Sequence, residues 1–235
     1  MGISYLRGMV LSPKTMSLDV LVREIEVEAA EQAKNGGVVL TTSFSKEDQI
    51  LTWAVVQSGA EVEVVSLDTG YLFPATRKTW DETQAHFGME IRSLTPNPQE
   101  VESLEGLDRI YQSVEARKQC CGIRKIRPLR AALLGKGAWL TGLRRAHSPN
   151  RATMERREQD AAWGILKVHP LLDWDDAALD SAVVATGVPV NPLHGMGYPS
   201  IGCAPCTRPV LPHEDARAGR WWWEQSAKEC GLHRG

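Results

Sequence analysis

Residues 38 to 49 read VVLTTSFSKEDQ, an apolar, β-branched run that turns polar within a few residues. Val38 to Phe44 has the composition of a buried strand that follows a turn at Gly36-Gly37. DQILTWAVVQSG (48–59) then reads as a helix. A strand, a short loop and a helix in that order aim the unbonded N–H groups of the first helical turn, and the positive end of the macrodipole, at an anion. The Walker spacing GxxxxGK[ST] is absent, which removes support for a P-loop NTPase. Ser43 and Ser45 supply hydroxyl donors, Lys46 a charge, and Asp48 stands near the helix start. The alternative is an ordinary strand-to-helix turn.

The pattern extends in both directions. Ser17 to Asn35 is helical, with Ser17 as N-cap and Gly36-Gly37 as stop. Downstream come a strand at EVEVVSLD (61–68), a helix at 74–88 with Pro74 in its first turn, and a strand at MEIRSLTP (89–96). IRKIRPLRAALLG (123–135) and DWDDAALDSAVVATG (173–187) are helical, and AWLTGL (138–143) and ILKVHPLL (165–172) are strands. This alternation predicts an α/β fold, a parallel sheet with a mixed edge and helices on both faces, binding its ligand at one end of the strands. Leu67 falls at such a strand end, where its main-chain groups are placed to pair with an adenine edge; otherwise it is an apolar residue before a Thr-Gly turn. The expected organisation is a helical segment (1–36), a nucleotide-binding α/β region (37–187) and a Pro/Gly-rich extension (188–235) with a mobile tail, all within one domain.

The chain has 235 residues, 43% hydrophobic and 24% charged, which excludes disordered and fibrous classes. A net charge of -2 and pI of about 6.3 argue against a nucleic-acid partner. No run approaches the roughly 20 apolar residues of a membrane span. MGISYLRGMV lacks a secretory h-region, and Leu6 stands where myristoylation needs Ser or Thr, so a cytoplasmic location is expected.

Five cysteines in a reducing compartment are read as metal ligands or nucleophiles. Cys120-Cys121 and Cys203-x-x-Cys206 form two pairs. Neighbours across a trans peptide sit about 3.8 Å apart at Cα, below the roughly 4.4–6.8 Å of a disulfide. Two pairs close a tetrathiolate site, and adjacent ligands are strained on one ion but fit the corners of a cube. Spacing therefore favours one [4Fe-4S] cluster per chain over zinc or four inert buried thiols. Lys125 would offset the cluster's charge or face an anionic substrate; Arg124 and Lys125 are otherwise solvated helix residues. The tryptophans of RWWWEQ (220–225) are expected to anchor a segment to the core, the acids of 171–180 to cap and solvate a helix, and His169 and His194 to be structural.

CCGIRKIRPL, GCAPCTRPV, EDARAGRWWWE and KECGLH, in that order, resemble the assimilatory adenylyl-sulfate (APS) reductases, the [4Fe-4S] branch of the APS/PAPS reductase family, and SFSKED resembles their modified PP-loop. The resemblance implies an adenine nucleotide alpha hydrolase-like fold. It implies that Cys120, Cys121, Cys203 and Cys206 ligate the cluster and that Cys230 is the nucleophile, with Lys125 and His233 as catalytic neighbours. Ser43, Phe44, Ser45, Asp48, Leu67, Arg124, Gly142, Arg144, Arg151, Arg217 and Arg220 would bind substrate. The implied reaction converts adenosine 5'-phosphosulfate to sulfite and AMP through a Cys230 S-sulfocysteine. With the other thiols committed to metal, the resolving thiol comes from thioredoxin or a glutaredoxin-like protein. A homo-oligomer is compatible with this. Three positions depart from the family pattern: Ser45 where Gly is frequent, Ala146-His147 where Glu-Gln is usual, and His213 where Gly is common. The alternatives are a PAPS reductase, an iron-sulfur sensor, and an adenylating PP-loop ligase with a zinc knuckle.

Overall fold

The computed structural model describes residues 17–104, 106–148 and 151–224. Helix α1 (Leu18–Gln32) starts where Ser17 accepts a hydrogen bond from the Val20 N–H, 3.2 Å. It is followed by β1 (Val38–Thr42), α2 (Lys46–Ser58), β2 (Val62–Leu67), α3 (Pro74–Phe87) and β3 (Arg92–Leu94). The short α4 (Pro98–Glu102) precedes α5 (Val114–Cys121), α6 (Arg127–Leu133), β4 (Ala138–Leu140), β5 (Arg157–Asp160), β6 (Ile165–Val168) and α7 (Asp176–Thr186).

The six strands lie in the order β3-β2-β1-β4-β6-β5. β1 pairs in parallel with β2 on one side and β4 on the other, Val38 facing Val62 and Ala138. The chain runs outward from β1 through β2 to β3 and then returns to the other side at β4. That reversal is the topological switch point, where the two following loops diverge and leave a crevice. Strand alternation divides the core. Val38 and Leu40 pack with Leu21, Ile25, Ile50 and Leu51 on the face covered by α1 and α2. Val39, Val65 and Trp139 pack with Leu129 and Leu133 of α6 on the other.

Several features differ from the sequence pattern. The third strand shrinks to Arg92–Leu94, and the strands expected over 138–143 and 165–172 end at Leu140 and Val168. The helix expected to begin at Ile123 begins at Val114, and a π turn, Gly122–Ile126, joins α5 to α6, closed by Arg127 N–H on the Gly122 carbonyl. Pro128 follows at once; it has no N–H to donate, and its ring crowds an α-helical carbonyl that a wider turn moves away. The antiparallel edge strand β5 reads Arg-Glu-Gln-Asp and carries no apolar signal. From Gly187 to Glu224 the chain is irregular, as its Pro and Gly content predicts, with 3-10 turns at Pro192–Met196 and Ala204–Cys206 and a bridge from Thr207 to Arg220. A bidentate pair, Arg117 to Glu224 at 2.8 and 2.7 Å, ties this region to α5. Among the described residues no helix is long and apolar enough to cross a membrane.

Candidate active site

A cleft of about 250 Å³ opens at the C-terminal ends of β1, β2 and β4, the switch point of the sheet. Its floor is the β1–α2 loop. The Ser45 hydroxyl caps α2, accepting from the Asp48 N–H at 3.2 Å. The Ser43 N–H and hydroxyl both donate to Asp48 Oδ2, 2.7 Å each. Burial pushes the Asp48 carboxyl above the usual carboxylate range, and the Ser43 donors oppose that push. Phe44 holds a left-handed backbone, φ 62°, and its N–H donates to Thr42 Oγ1 at 3.0 Å. A bulky residue in that region signals a turn held by its surroundings. Its ring is buried 5.2 Å from that of Trp80, so Phe44 offers the cleft mainly backbone. Gly142 closes the opposite lip; a Cβ there would lie 2.5 Å from Asp48 Oδ1 and 2.9 Å from Glu47 Cβ. Lys46 points elsewhere, to Asp180 at 2.7 Å.

The cleft gathers Ser43, Phe44, Ser45, Asp48, Leu67, Lys125, Gly142, Arg151, Arg217 and Arg220 from the residues expected at the site. Arg220 donates to Ser200 Oγ and the Ile201 carbonyl, both 3.2 Å, and lies so close over Gly202 that a Cβ there would meet its guanidinium at 2.2 Å. Two expected arginines sit behind the wall. Arg144 is buried and spends its guanidinium on Glu47 (2.9 Å), the Trp174 carbonyl (3.0 Å) and Asp176 (2.7 Å). Arg124 donates to the Thr69 carbonyl at 2.8 Å and stacks 4.2 Å over the Tyr71 ring, facing the cysteines. Burial works to raise the Glu47 carboxyl, but His147 and Arg144 outweigh it and bring it down to about 2.

Among the cleft residues not anticipated as site residues are Glu47, Thr69, Thr141, His147 and His194. The Thr141 hydroxyl is 2.6 Å from His169 Nδ1, and His169 Nε2 is 3.3 Å from Glu158. His169 is fully buried. His194 donates from Nδ1 to the Tyr198 carbonyl at 3.0 Å, and burial lowers its imidazole below the ordinary value. Thr141 adjoins Gly142 and His147 lies three residues beyond Arg144 in LTGLRRAH, and that proximity is the sequence signal that could have found them.

Behind the cleft lies a cavity of about 20 Å³ walled by Cys120, Cys121, Cys203 and Cys206 together with Arg117, Arg124 and Lys125. None of the four is in a disulfide. Cys120 and Cys121 end α5; Cys203 and Cys206 flank a tight turn held by the Ala204 N–H on the Tyr71 carbonyl (2.7 Å) and the Tyr111 hydroxyl on the Pro205 carbonyl (2.8 Å). Burial would raise the Cys203 thiol, but Lys125, the Thr69 hydroxyl at 3.2 Å and Arg220 hold it below the usual value. Burial raises Cys120, and burial with the neighbouring thiolates pushes Cys206 up to about 12. Among the described residues no three His, Cys, Asp or Glu side chains meet at a point suited to a single metal ion; the thiols form the walls of a chamber. As a donor set, four thiols ringed by cations suit an anionic iron-sulfur group. Cys203 and Lys125 belong to both cavities. Cys230 and His233 lie outside the described residues.

Comparison with known proteins places these features in a family. The phosphoadenosine phosphosulfate reductase domain matches residues 37–209. An adenosine 5'-phosphosulfate reductase of Sinorhizobium fredii (strain USDA 257) is 45% identical over 227 residues, covering 95% of this chain and 89% of the relative. The protein of the same name from Burkholderia cepacia is 44% identical, covering 95% and 88%. In three dimensions the phosphoadenylyl-sulfate reductase of Candida auris, solved as a phosphate complex, superposes with a TM-score of 0.62 at 23% identity, covering 83% of this chain and 97% of that one. The FMN adenylyltransferase of Candida glabrata, in complex with FAD and inorganic pyrophosphate, follows at 0.56 and 15%, covering 94% and 75%.

Proposed function

This chain belongs to the phosphoadenosine phosphosulfate reductase family, and we propose that it reduces adenosine 5'-phosphosulfate to sulfite and AMP with electrons from a protein dithiol. The observation that carries the reading is the joining of two cavities through Lys125 and Cys203: a nucleotide-sized cleft at the sheet's switch point and a chamber of four thiols. The β1–α2 loop and the first turn of α2 supply N–H groups and hydroxyls for phosphate. Arg151, Arg217, Arg220 and Lys125 supply cations for the phosphosulfate, and arginine forks match tetrahedral oxyanions.

In the proposed sequence the Cys230 thiolate attacks the sulfur of the phosphosulfate. The S–O bond to phosphate breaks, AMP leaves with the electron pair, and Cys230 carries the sulfonate. A donor thiolate then attacks Cys230 Sγ and sulfite departs. The donor's second thiol closes its own disulfide and releases Cys230, so two electrons pass from dithiol to sulfur. Thioredoxin has the required chemistry. Cations aimed at the leaving phosphate stabilise the charge that develops there, each worth about 2.7–4 kcal/mol when well placed.

Cys120, Cys121, Cys203 and Cys206 are the residues that would hold a [4Fe-4S] cluster, which would supply a negatively charged body against the cleft wall. Lys125 and Arg124 balance that charge, and Lys125 also faces the cleft. Chains purified without oxygen are expected to be brown, with about four irons each. Treated with adenosine 5'-phosphosulfate and no thiol, they should gain one SO₃ at Cys230 by intact mass and peptide mapping, and thioredoxin should remove it as sulfite. An adduct elsewhere, or stronger competition by the 3'-phosphorylated nucleotide, would overturn the assignment of nucleophile or substrate respectively.

A further inference from the structure

His147 stands on the wall of the cleft with 31% of its side chain exposed. Its Nε2 is 2.9 Å from Glu47 Oε1, and its Nδ1 is 3.4 Å from Arg151 Nη1. Glu47 is buried and, with its carboxyl at about 2, is ionised at every ordinary pH. A ring lone pair facing that anion would be repelled, so Nε2 carries the proton and donates to Glu47. Nδ1 is then the acceptor, and the group facing it is the Arg151 guanidinium, whose side chain also lines the cleft. Arg144 crowds the same Glu47 oxygen, and its Nη2 stands 2.8 Å from His147 Nε2 as well. That nitrogen has Glu47 (2.8 Å) and Asp176 (2.7 Å) to take its two hydrogens, which leaves the Nε2 proton in place.

We propose that His147 is a positioning residue for Arg151: the neutral ring, protonated at Nε2, holds the guanidinium in the cleft for an anionic phosphosulfate, and a second proton at Nδ1 turns that acceptor into a donor and releases it. This rests on the reading of the cleft as an adenosine 5'-phosphosulfate site. The charged groups around the ring are Glu47 from α2, Arg144 and Arg151 from its own segment, and Asp176 of α7 behind Arg144, with the Lys46–Asp180 pair near the same end of α2. A second ring proton is the change that acidification brings to an imidazole, whereas the mixed anhydride keeps its charges. Substrate binding therefore weakens on acidification. A glutamine at 147 offers Glu47 an N–H and Arg151 a carbonyl from one amide, and it does not titrate.

The test compares wild type, His147→Gln and His147→Ala in steady-state reduction of adenosine 5'-phosphosulfate between pH about 5.5 and 8.5. Ionisations elsewhere are common to the three proteins and cancel in the ratios. At alkaline pH His147→Ala is expected to raise KM about tenfold with kcat within about twofold, and His147→Gln to recover most of the affinity. Toward acid pH the ratio of the wild-type KM to that of His147→Gln is expected to climb about tenfold. An alanine variant with the wild-type KM, or a glutamine variant with the wild-type acid rise, overturns the proposal. The glutamine arm decides it if the alanine protein fails to fold. Wild-type protein that binds no AMP at alkaline pH and turns over no substrate overturns the reading of the cleft itself, and with it this proposal.

Discussion

A methyl group at position 142 would sit 2.5 Å from the Asp48 carboxyl and 2.9 Å from Glu47 Cβ, in a region with no slack. Gly142→Ala is expected to cost about 1–3 kcal/mol in urea unfolding, as overpacking does. It should also weaken AMP binding at least about tenfold in calorimetry, because displacing Asp48 releases the two bonds that set the Ser43 turn. The family resemblance marked Gly142; the reason for a glycine there became visible only with Asp48 beside it. Two departures from the family pattern also separate at this scale. His213, where glycine is common, is exposed with φ 77°, in the backbone region glycine prefers, and it does not line the cleft. His147 is inside the cleft, wedged against buried Glu47. Sequence alone ranks these two substitutions equally, because neither φ nor the partner of an imidazole is written in it.

Periodicity located α1, α2, α3, α7 and the parallel strands because each buries one face or both against neighbours. It missed elements whose existence depends on a partner. β5 has the sequence Arg-Glu-Gln-Asp and is a strand because β6 offers it an edge, with Arg157 held by Glu31 at 2.7 Å. The π turn between α5 and α6 answers to Pro128, and no 3.6-residue pattern records it. Among the elements around the thiol chamber, the closure between the end of the described chain and α5 is the most exposed to mutation. Arg117 and Glu224 are 6% and 3% exposed at their side chains and joined by two bonds. Removing one partner leaves a buried charge alone, so Glu224→Ala is expected to lower stability by about 3–5 kcal/mol in denaturant titration. Arg117 also stacks 4.7 Å from the Trp221 ring beside the cysteines, so, if the thiols hold the proposed cluster, the same variant should lose iron faster to a chelator.

At the scale of the whole molecule, acid stability follows from Glu47. Its carboxyl titrates lower in the fold, at about 2, than the ordinary 4.5, so its contribution is present above about pH 4.5 and disappears as pH falls toward 2. The difference amounts to about 3 kcal/mol. Asp48 is shifted the other way by burial and regains stability on protonation, which partly masks the loss. Glu47→Gln is therefore expected to start less stable at neutral pH and to show a flatter decline through the acid range in urea titrations at stepped pH. The global architecture was the most legible feature of the sequence, since strand and helix order dictate the switch point; the two cavities sharing a wall were not, because they are built from residues far apart in the chain, Thr69 and Cys203 in contact across 134 positions. That shared wall carries a physiological corollary. If the thiols carry iron as proposed, the cell's metal supply decides how many copies have that wall complete, and scarcity of iron slows sulfite production without any change in the amount of protein.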